Sequence, residues 1–137
     1  MNDAHLQRFV EAQAAAYTDA LAELRNGRKR THWMWFVFPQ IAGLGRSATA
    51  QRYAIASRQE AAAYLAHDVL GLRLRACTQA MLAVPDRTAH EILGTPDDIK
   101  FRSCMTLFDA VAPNDIFGEA LARFYRGQRD PATLERL

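Results

Sequence analysis

The side chains best suited to bind or transform a ligand are concentrated in an aromatic block, residues 32–40. It begins with His32, contains both tryptophans of the chain, Trp33 and Trp35, and ends with Gln40. An imidazole can act as an acid or a base near neutral pH, and an indole can stack on a planar ring. Two tryptophans one residue apart cannot share one face of a helix, so one of them is a candidate to line a pocket or an interface. The competing interpretation is that both rings belong to the core.

A second candidate is Arg73, whose helix is predicted to run from Val69 to Ala83. The helical period places Arg73 near the middle of the apolar arc and Arg75 on the outer face. An inward guanidinium needs a carboxylate, backbone carbonyls or an anionic ligand as its partner. An internal ion pair with Glu60 or an aspartate is the more common arrangement, and a ligand site is the alternative.

The third candidate pair is Lys100 and Ser103, in a helix predicted from Pro96 to Val111. Lys100 falls at the edge of the apolar arc and Ser103 on the neighbouring flank. If both face a cleft, an ammonium and a hydroxyl could together hold a phosphate or carboxylate. The alternative is a lysine that lies along apolar surface with its amine in water.

Other chemistry is not indicated. The glycine-bearing loop at residues 41–47 contains only a lone G-x-G, and no strand precedes it, so a dinucleotide fingerprint is not supported. Cys77 and Cys104 are far apart and are expected to be buried, reduced thiols. No metal site, cofactor or catalytic triad is predicted. The four histidines are scattered along the chain: His5, His32, His67 and His90.

Composition is that of an ordinary globular chain. The 137 residues are 50% hydrophobic and 23% charged, with a formal net charge of +2. This balance gives no general attraction to nucleic acid, and the basic turn of Arg25, Arg28, Lys29 and Arg30 is predicted to be solvated. No signal peptide or membrane-spanning run is recognisable, so we expect a cytoplasmic protein without membrane contact.

The elements that must position these residues are helical. Strand-type alternation is absent, and we predict one all-α domain over residues 1–137, a compact orthogonal bundle of seven or eight helices. The predicted helices cover residues 6–26, 32–38, 48–56, 58–67, 69–83, 86–94, 96–111 and 114–127, and a short turn opens at Asp130. Ser57, Asp86 and Asn114 are predicted to cap helix starts, and the helix of the aromatic block is predicted to end near Pro39.

Several strings of the sequence resemble a bacterial family, domain of unknown function 1810. They are the run from His32 to Gly45, the run from Glu60 to His67, Arg73-Leu74, and the stretch from Asp97 to Phe108. The similarity covers nearly the whole chain. It implies a mainly α-helical single domain and no established activity. The label calpastatin, sometimes given to such proteins, does not suit a compact domain, because calpastatins are long disordered repeat proteins.

Three functional hypotheses follow. The favoured one is a site, binding or enzymatic, for an anionic phosphate- or nucleotide-like small molecule. Arg73 and Lys100 would hold its charge, a tryptophan would stack on its ring, and His32 could act as an acid or base. The alternatives are a protein-interaction or homodimer surface at the aromatic block, and, with less support, nucleic-acid binding through the basic turn. The candidate ligand-binding residues are His32, Trp33, Trp35, Gln40, Arg73, Lys100 and Ser103.

Overall fold

The structure, a computed structural model, describes residues 3–137, and its regular elements in that range are all α-helices. They are α1 (Asp3–Arg25), α2 (Met34–Val37), α3 (Ala48–Arg52), α4 (Arg58–Ala66), α5 (Leu70–Ala83), α6 (Ala89–Leu93), α7 (Asp97–Val111), α8 (Ile116–Tyr125) and α9 (Pro131–Leu134). The all-α prediction is confirmed. The predicted turn after Asp130 is a short helix, which accounts for the additional element. None of the helices in the described range has the length and apolar character needed to cross a membrane.

Helix starts follow capping chemistry, with two corrections. Ser57 caps α4 as predicted, and its side-chain hydroxyl accepts a hydrogen bond from the backbone N–H of Glu60. The predicted cap at Asp86 is wrong, because α6 begins at a capping box of Thr88 and Glu91. The predicted cap at Asn114 is also wrong, since Asp115 is the N-cap of α8.

The core is one continuous cluster, built where α1 packs on α5 and where α7 packs on α4 and α8. Aromatic rings connect these layers. The ring centroids of Phe9 (α1) and Tyr64 (α4) lie 5.2 Å apart, and those of Tyr64 and Phe108 (α7) lie 5.4 Å apart. The centroid of Phe108 is in turn 5.7 Å from that of Phe117 (α8). Burial of such rings contributes much of the stability of a domain of this size.

The aromatic block folds as predicted, as a short helix (α2) that ends before Pro39. The chain then forms a loop that includes α3. The loop is closed at its base, where the N–H of Ile55 donates to Gln40 O and the N–H of Ala42 donates to Ile55 O, each at 2.8 Å. Within the described chain this isolated parallel bridge between Ile41 and Ile55 is the one strand-like contact.

Arginines tie several helix ends to their neighbours. Arg58 donates to the carbonyl of Ala110 at the end of α7, and Arg102 donates to the carbonyl of Gln128 after α8, each at 2.8 Å. The last carbonyls of a helix lack partners within it, so Arg58 satisfies a carbonyl of α7 that would otherwise need water. Part of the positive charge of the chain is therefore engaged in holding the fold.

Candidate functional site

A cleft opens between the aromatic block, the loop that follows it and α7. Its volume is about 300 Å³ including the open mouth, while the enclosed part, about 10 Å³, has room for about one water molecule. The cleft brings together three of the predicted site residues, Trp35, Gln40 and Lys100. The complete lining is Met34, Trp35, Phe38, Gln40, Ile41, Gly45, Ala50, Tyr53, Ala54 and Lys100. We call it the Trp35–Lys100 cleft.

Lys100 is the charged group of this cleft. Its Nζ lies 5.5 Å from the centre of the Trp35 ring, a cation–π contact, and no described carboxylate lies within ion-pair distance of it. No aspartate or glutamate lines the cleft. The flanks are also basic, since Arg46 follows Gly45 and the guanidinium of Arg52 lies 5.5 Å from the centre of the Tyr53 ring. The electrostatic character of the cleft therefore favours an anion.

Two neutral donors complete the cleft. The amide of Gln40 and the hydroxyl of Tyr53 have no intramolecular hydrogen-bond partner in the part of the chain that the structure describes. Every buried side-chain nitrogen or oxygen there has a partner, so these two groups are open to solvent. Polar groups at the edge of an aromatic pocket are suited to fixing the orientation of a ligand.

The glycines of the loop serve close packing. A Cβ at Gly45 would lie 2.4 Å from the Cβ of Ala50, and a Cβ at Gly43 would lie 2.6 Å from the guanidinium Nε of Arg136. Gly43 also has a φ of +99°, which side chains rarely tolerate. The G-x-G spacing thus has a packing explanation, in which the loop lies directly against α3 and the C-terminal segment.

Trp33 and His32 lie outside the cleft. Trp33 is 1% exposed, its Nε1 donates to Glu23 at 3.0 Å, and the Nζ of Lys29 lies 5.1 Å from its ring centre. His32 is exposed and forms no hydrogen bond with another described residue. Of the two tryptophans, Trp33 belongs to the core and Trp35 lines the cleft.

Glu23 is the unexpected residue beside Trp33. Its carboxylate accepts hydrogen bonds from the N–H of Arg30, the N–H and hydroxyl of Thr31, and the indole of Trp33. Partial burial acts to raise the pKa of Glu23, but the hydrogen bonds from Thr31, Arg30 and Trp33 outweigh it and lower the pKa to about 2. A residue that helical periodicity places on the outer face of α1 therefore anchors the turn that leads into the aromatic block.

Lys29 departs from the prediction of a solvated basic turn. Its side chain is 9% exposed, and its Nζ forms a salt bridge of 3.0 Å with Asp97 at the start of α7. The other members of the turn, Arg25, Arg28 and Arg30, are exposed as predicted. With Lys29 engaged inside the fold, the turn offers fewer cations to a nucleic acid than its sequence indicates.

Arg73 does not form the predicted ion pair. Glu60 pairs instead with Arg8 at 3.3 Å, and no described carboxylate lies within ion-pair distance of Arg73. The Arg73 guanidinium lies 4.9 Å from the ring centre of Tyr17, and its Nη1 reaches Gln13 Oε1 at 3.5 Å. This half-buried cation is outside the cleft, so Arg73 and Lys100 do not share a site.

Arg75, predicted to lie on the outer face of its helix, forms an ion pair. Its Nη2 lies 2.9 Å from Asp115 Oδ2, and its Nε donates to the same oxygen at 3.0 Å. These hydrogen bonds, with smaller contributions from the N–H of Ile116 and the charge of Arg75, lower the pKa of Asp115 against the opposing effect of its burial. The ion pair joins α5 to the start of α8.

Ser103 has a structural role. It is 3% exposed, and its hydroxyl donates to Asp130 Oδ2 at 2.7 Å. The hydroxyl of Thr133 donates to the same oxygen at 2.5 Å, and the N–H of Asp130 donates to Thr106 at 2.9 Å. This network holds α9 on α7, away from the cleft, so the predicted pairing of Ser103 with Lys100 is not formed.

Sequence reasoning missed Tyr53 and Gln13. Tyr53 comes directly after α3, between Arg52 and Ala54, and a single tyrosine at that position gives little signal. Gln13 carried a clearer one, because it lies one helical turn from both Phe9 and Tyr17, inside the apolar arc of α1. It is 1% exposed.

Neither cysteine lines the cleft. Cys77 and Cys104 are buried, free thiols. Burial raises the pKa of Cys77 to about 12, against the opposing effect of the Arg25 and Arg73 charges. Residues 3–137 contain no group of three or more histidine, cysteine or acidic side chains arranged to hold a metal ion. The cleft is therefore described by its aromatic, amide and ammonium groups.

Comparison with known proteins places the chain without assigning it an activity. A crystal structure of a conserved hypothetical protein from Mycobacterium tuberculosis, Rv1873, is 52% identical and has a TM-score of 0.94, over 96% of this chain and 95% of that one. No curated protein matches the sequence. The family described as protein of unknown function DUF1810 matches residues 3–137. The chain therefore belongs to the DUF1810 family.

Proposed function

We propose that this domain binds a planar, anionic small molecule in the Trp35–Lys100 cleft. One observation carries the proposal: the ammonium of Lys100, with no carboxylate partner in the described chain, lies beside an aromatic ring in a cleft without acidic residues. An unpaired cation at the edge of an apolar pocket attracts an anion more strongly than the same cation in open water.

The lining assigns a role to each group. The ring of the ligand stacks on Trp35, its anionic group meets Lys100, and Gln40 and Tyr53 form hydrogen bonds at its edge. Lys100 now covers the face of Trp35, and the enclosed space is small. The lysine side chain must therefore swing from the indole toward the anion when the ligand enters, a rearrangement that its flexible stem allows at low cost.

The class of ligand follows from shape and charge. The enclosed space of about 10 Å³ is too small for a ring, so the ligand binds at the open mouth of the cleft, where an aromatic carboxylate or a nucleoside monophosphate offers one ring to Trp35 and one anionic group to Lys100. His32 lies outside it, and no residue of the lining is assigned as an acid or base. The proposal is therefore one of binding, in a protein that we place in the cytoplasm.

Association through the aromatic block has less support. Trp33 is buried and Trp35 is half-buried, so the block does not form a broad apolar surface. The large hydrophobic side chains that are exposed in the described chain are Leu72, Ile99 and Leu134, which lie on other elements.

The test is a binding titration with matched probes. Adenosine 5′-monophosphate and nicotinate are compared with their uncharged counterparts, adenosine and nicotinamide, by calorimetry and thermal shift. At least one anionic probe is expected to bind at least about tenfold more tightly than its neutral partner, with affinity falling as salt increases.

Lys100→Met removes the charge but keeps the length of the side chain, and it is expected to abolish that preference. Arg28→Met, which removes an exposed cation outside the cleft, is the control. The proposal is overturned if neither anion binds, or if Lys100→Met binds the anions as well as the wild type does.

A further inference from the structure

We infer that Gln13 is a positioning residue for the Trp35–Lys100 cleft, which it controls through the backbone carbonyl of Phe36. Its effect on binding rests on the proposed function of that cleft. Its effect on the position of Trp35 does not.

The contacts of Gln13 are those of a clamp. Its Nε2 donates to Phe36 O at 2.7 Å and to the hydroxyl of Tyr64 at 3.0 Å, and its Oε1 accepts from Arg73 at 3.5 Å. The carbonyl of Phe36 can only accept, which fixes the amide orientation, with nitrogen toward α2 and oxygen toward Arg73. A buried amide with both ends engaged is held in one rotamer.

The carbonyl of Phe36 needs such a partner. The helix α2 has only four residues, and its internal hydrogen bonds run from Val37 N–H to Trp33 O and from Phe38 N–H to Met34 O. The carbonyls at the end of a helix accept no hydrogen bond from within it. In a buried segment each of them needs a donor from another part of the protein. Gln13 supplies that donor from α1, so a side chain of another helix holds the end of α2 by a hydrogen bond.

Two walls of the cleft depend on Phe36. Trp35 precedes it in the same helical turn, and the Phe36 ring meets the ring of Tyr53 edge to face, with centroids 5.3 Å apart. Trp35 and Tyr53 both line the cleft. A shift of the Phe36 backbone would therefore move Trp35 directly, through the chain, and would move Tyr53 through the contact between the Phe36 and Tyr53 rings.

This arrangement also gives Arg73 a role without placing it in the cleft. Its guanidinium lies over Tyr17 and faces the Oε1 of Gln13, so it favours the amide orientation that donates to Phe36. Arg73 then acts on the cleft through Gln13. A direct ligand contact by Arg73 would have a different signature, independent of Gln13.

The first experiment reads the position of Trp35. Protein labelled with 5-fluorotryptophan gives one ¹⁹F resonance for each tryptophan, and Trp35→Phe assigns them. Gln13→Leu is expected to shift or broaden the Trp35 resonance and leave that of Trp33 in place. The control is Thr78→Val, which likewise removes a buried side-chain donor to a backbone carbonyl, here the hydroxyl of Thr78 that donates to Leu74 O within α5. An unmoved Trp35 resonance in Gln13→Leu, or an equal shift in Thr78→Val, overturns the inference.

The second experiment measures binding of adenosine 5′-monophosphate and nicotinate. Gln13→Leu is expected to lower the affinity by about threefold to tenfold, with Arg73→Met lowering it less. The double variant is expected to bind no more weakly than Gln13→Leu alone, because both changes act through one contact. Additive losses would overturn the role given to Arg73. If the wild-type protein binds neither probe, the proposed function fails, and the fluorine spectra still decide whether Gln13 positions Trp35.

Discussion

The carboxylate of Glu23 accepts a hydrogen bond from the indole N–H of Trp33 at 3.0 Å, and this bond distinguishes Trp33 from Trp35. A buried indole needs an acceptor for its N–H, and Glu23 provides it for Trp33 from the last turns of α1. Trp35 has no such partner in the described residues, and it lies half-buried at the cleft. The core ring and the pocket ring therefore differ in hydrogen bonding as well as in burial, and the acceptor for the core ring lies ten positions before it in the sequence.

Glu23→Gln should destabilise the protein in a pH-dependent way. The hydrogen bonds around Glu23 lower its pKa from 4.5 to about 2, so the carboxylate stabilises the fold above its unfolded pKa and loses this contribution as the pH falls toward 2. The loss at about pH 7 is expected to be about 1–3 kcal/mol. Urea unfolding at about pH 7 and about pH 3 should show a smaller difference between wild type and variant in acid. Glu11→Gln, an exposed change on α1, is the control, and a difference that does not vary with pH would contradict the prediction.

Substitutions of Lys29 and Asp97, which form a salt bridge, should have coupled effects on the free energy of unfolding. Both side chains are largely buried, at 9% and 19% exposure, so removing one partner leaves a charge poorly solvated. Lys29→Met is expected to cost about 2–4 kcal/mol. The double variant with Asp97→Asn should lose clearly less than the sum of the single changes, as measured by chemical denaturation. Strict additivity would show that the pair does not interact in solution.

Ser103→Ala should affect stability and leave binding intact. The hydroxyl of Ser103 donates to Asp130, which anchors α9 on α7. Burial acts to raise the pKa of Asp130, and the hydrogen bonds from Thr133 and Ser103 lower it further than burial raises it. We expect a loss of about 1–2 kcal/mol and faster amide hydrogen exchange in α9. A loss of probe affinity as large as that of Lys100→Met would instead place Ser103 in the site.

Gly45→Ala should deform the cleft, and Ala50→Gly should rescue it. The added Cβ would lie 2.4 Å from the Cβ of Ala50, so the loop must move away from α3. Weaker binding of adenosine 5′-monophosphate and a lower melting temperature are expected from Gly45→Ala. The double variant restores the space and should recover most of the affinity. Its stability should stay about 1 kcal/mol below that of the wild type, because glycine is unfavourable in a helix. No recovery in the double variant would show that the contact between these residues is not what limits binding.

The helices could be read from the sequence because their signals are local. Gly27 stops α1 with a φ of +73°, and Ser57 caps α4 through a residue three positions later. The position of α2 within the aromatic block followed from Pro39. The wrong caps at Asp86 and Asn114 each lay within two residues of the true one, where neighbouring side chains compete for the same N–H groups.

The candidate site was less predictable because its contacts join distant parts of the chain. Helical periodicity places Lys100 at the edge of an apolar arc, and the spacing of the tryptophans makes one of them a candidate to line a pocket or an interface. Neither signal says which ring meets Lys100. The partner of Arg73 was mistaken for a related reason, since Glu60 pairs with Arg8, and the periodicity of α4 and α5 does not reveal a competitor on α1.

The loop between Ile41 and Ile55 forms one wall of the cleft and is closed at its base by backbone hydrogen bonds. Both ends of the loop are fixed by backbone hydrogen bonds, and the side chains at these two positions are buried. A change in the length of the segment between them costs little in closure entropy, because loop closure depends only weakly on length. The cleft therefore combines two parts of the chain: the helical body contributes Trp35 and Lys100, and the closed loop contributes Gly45, Ala50 and Tyr53.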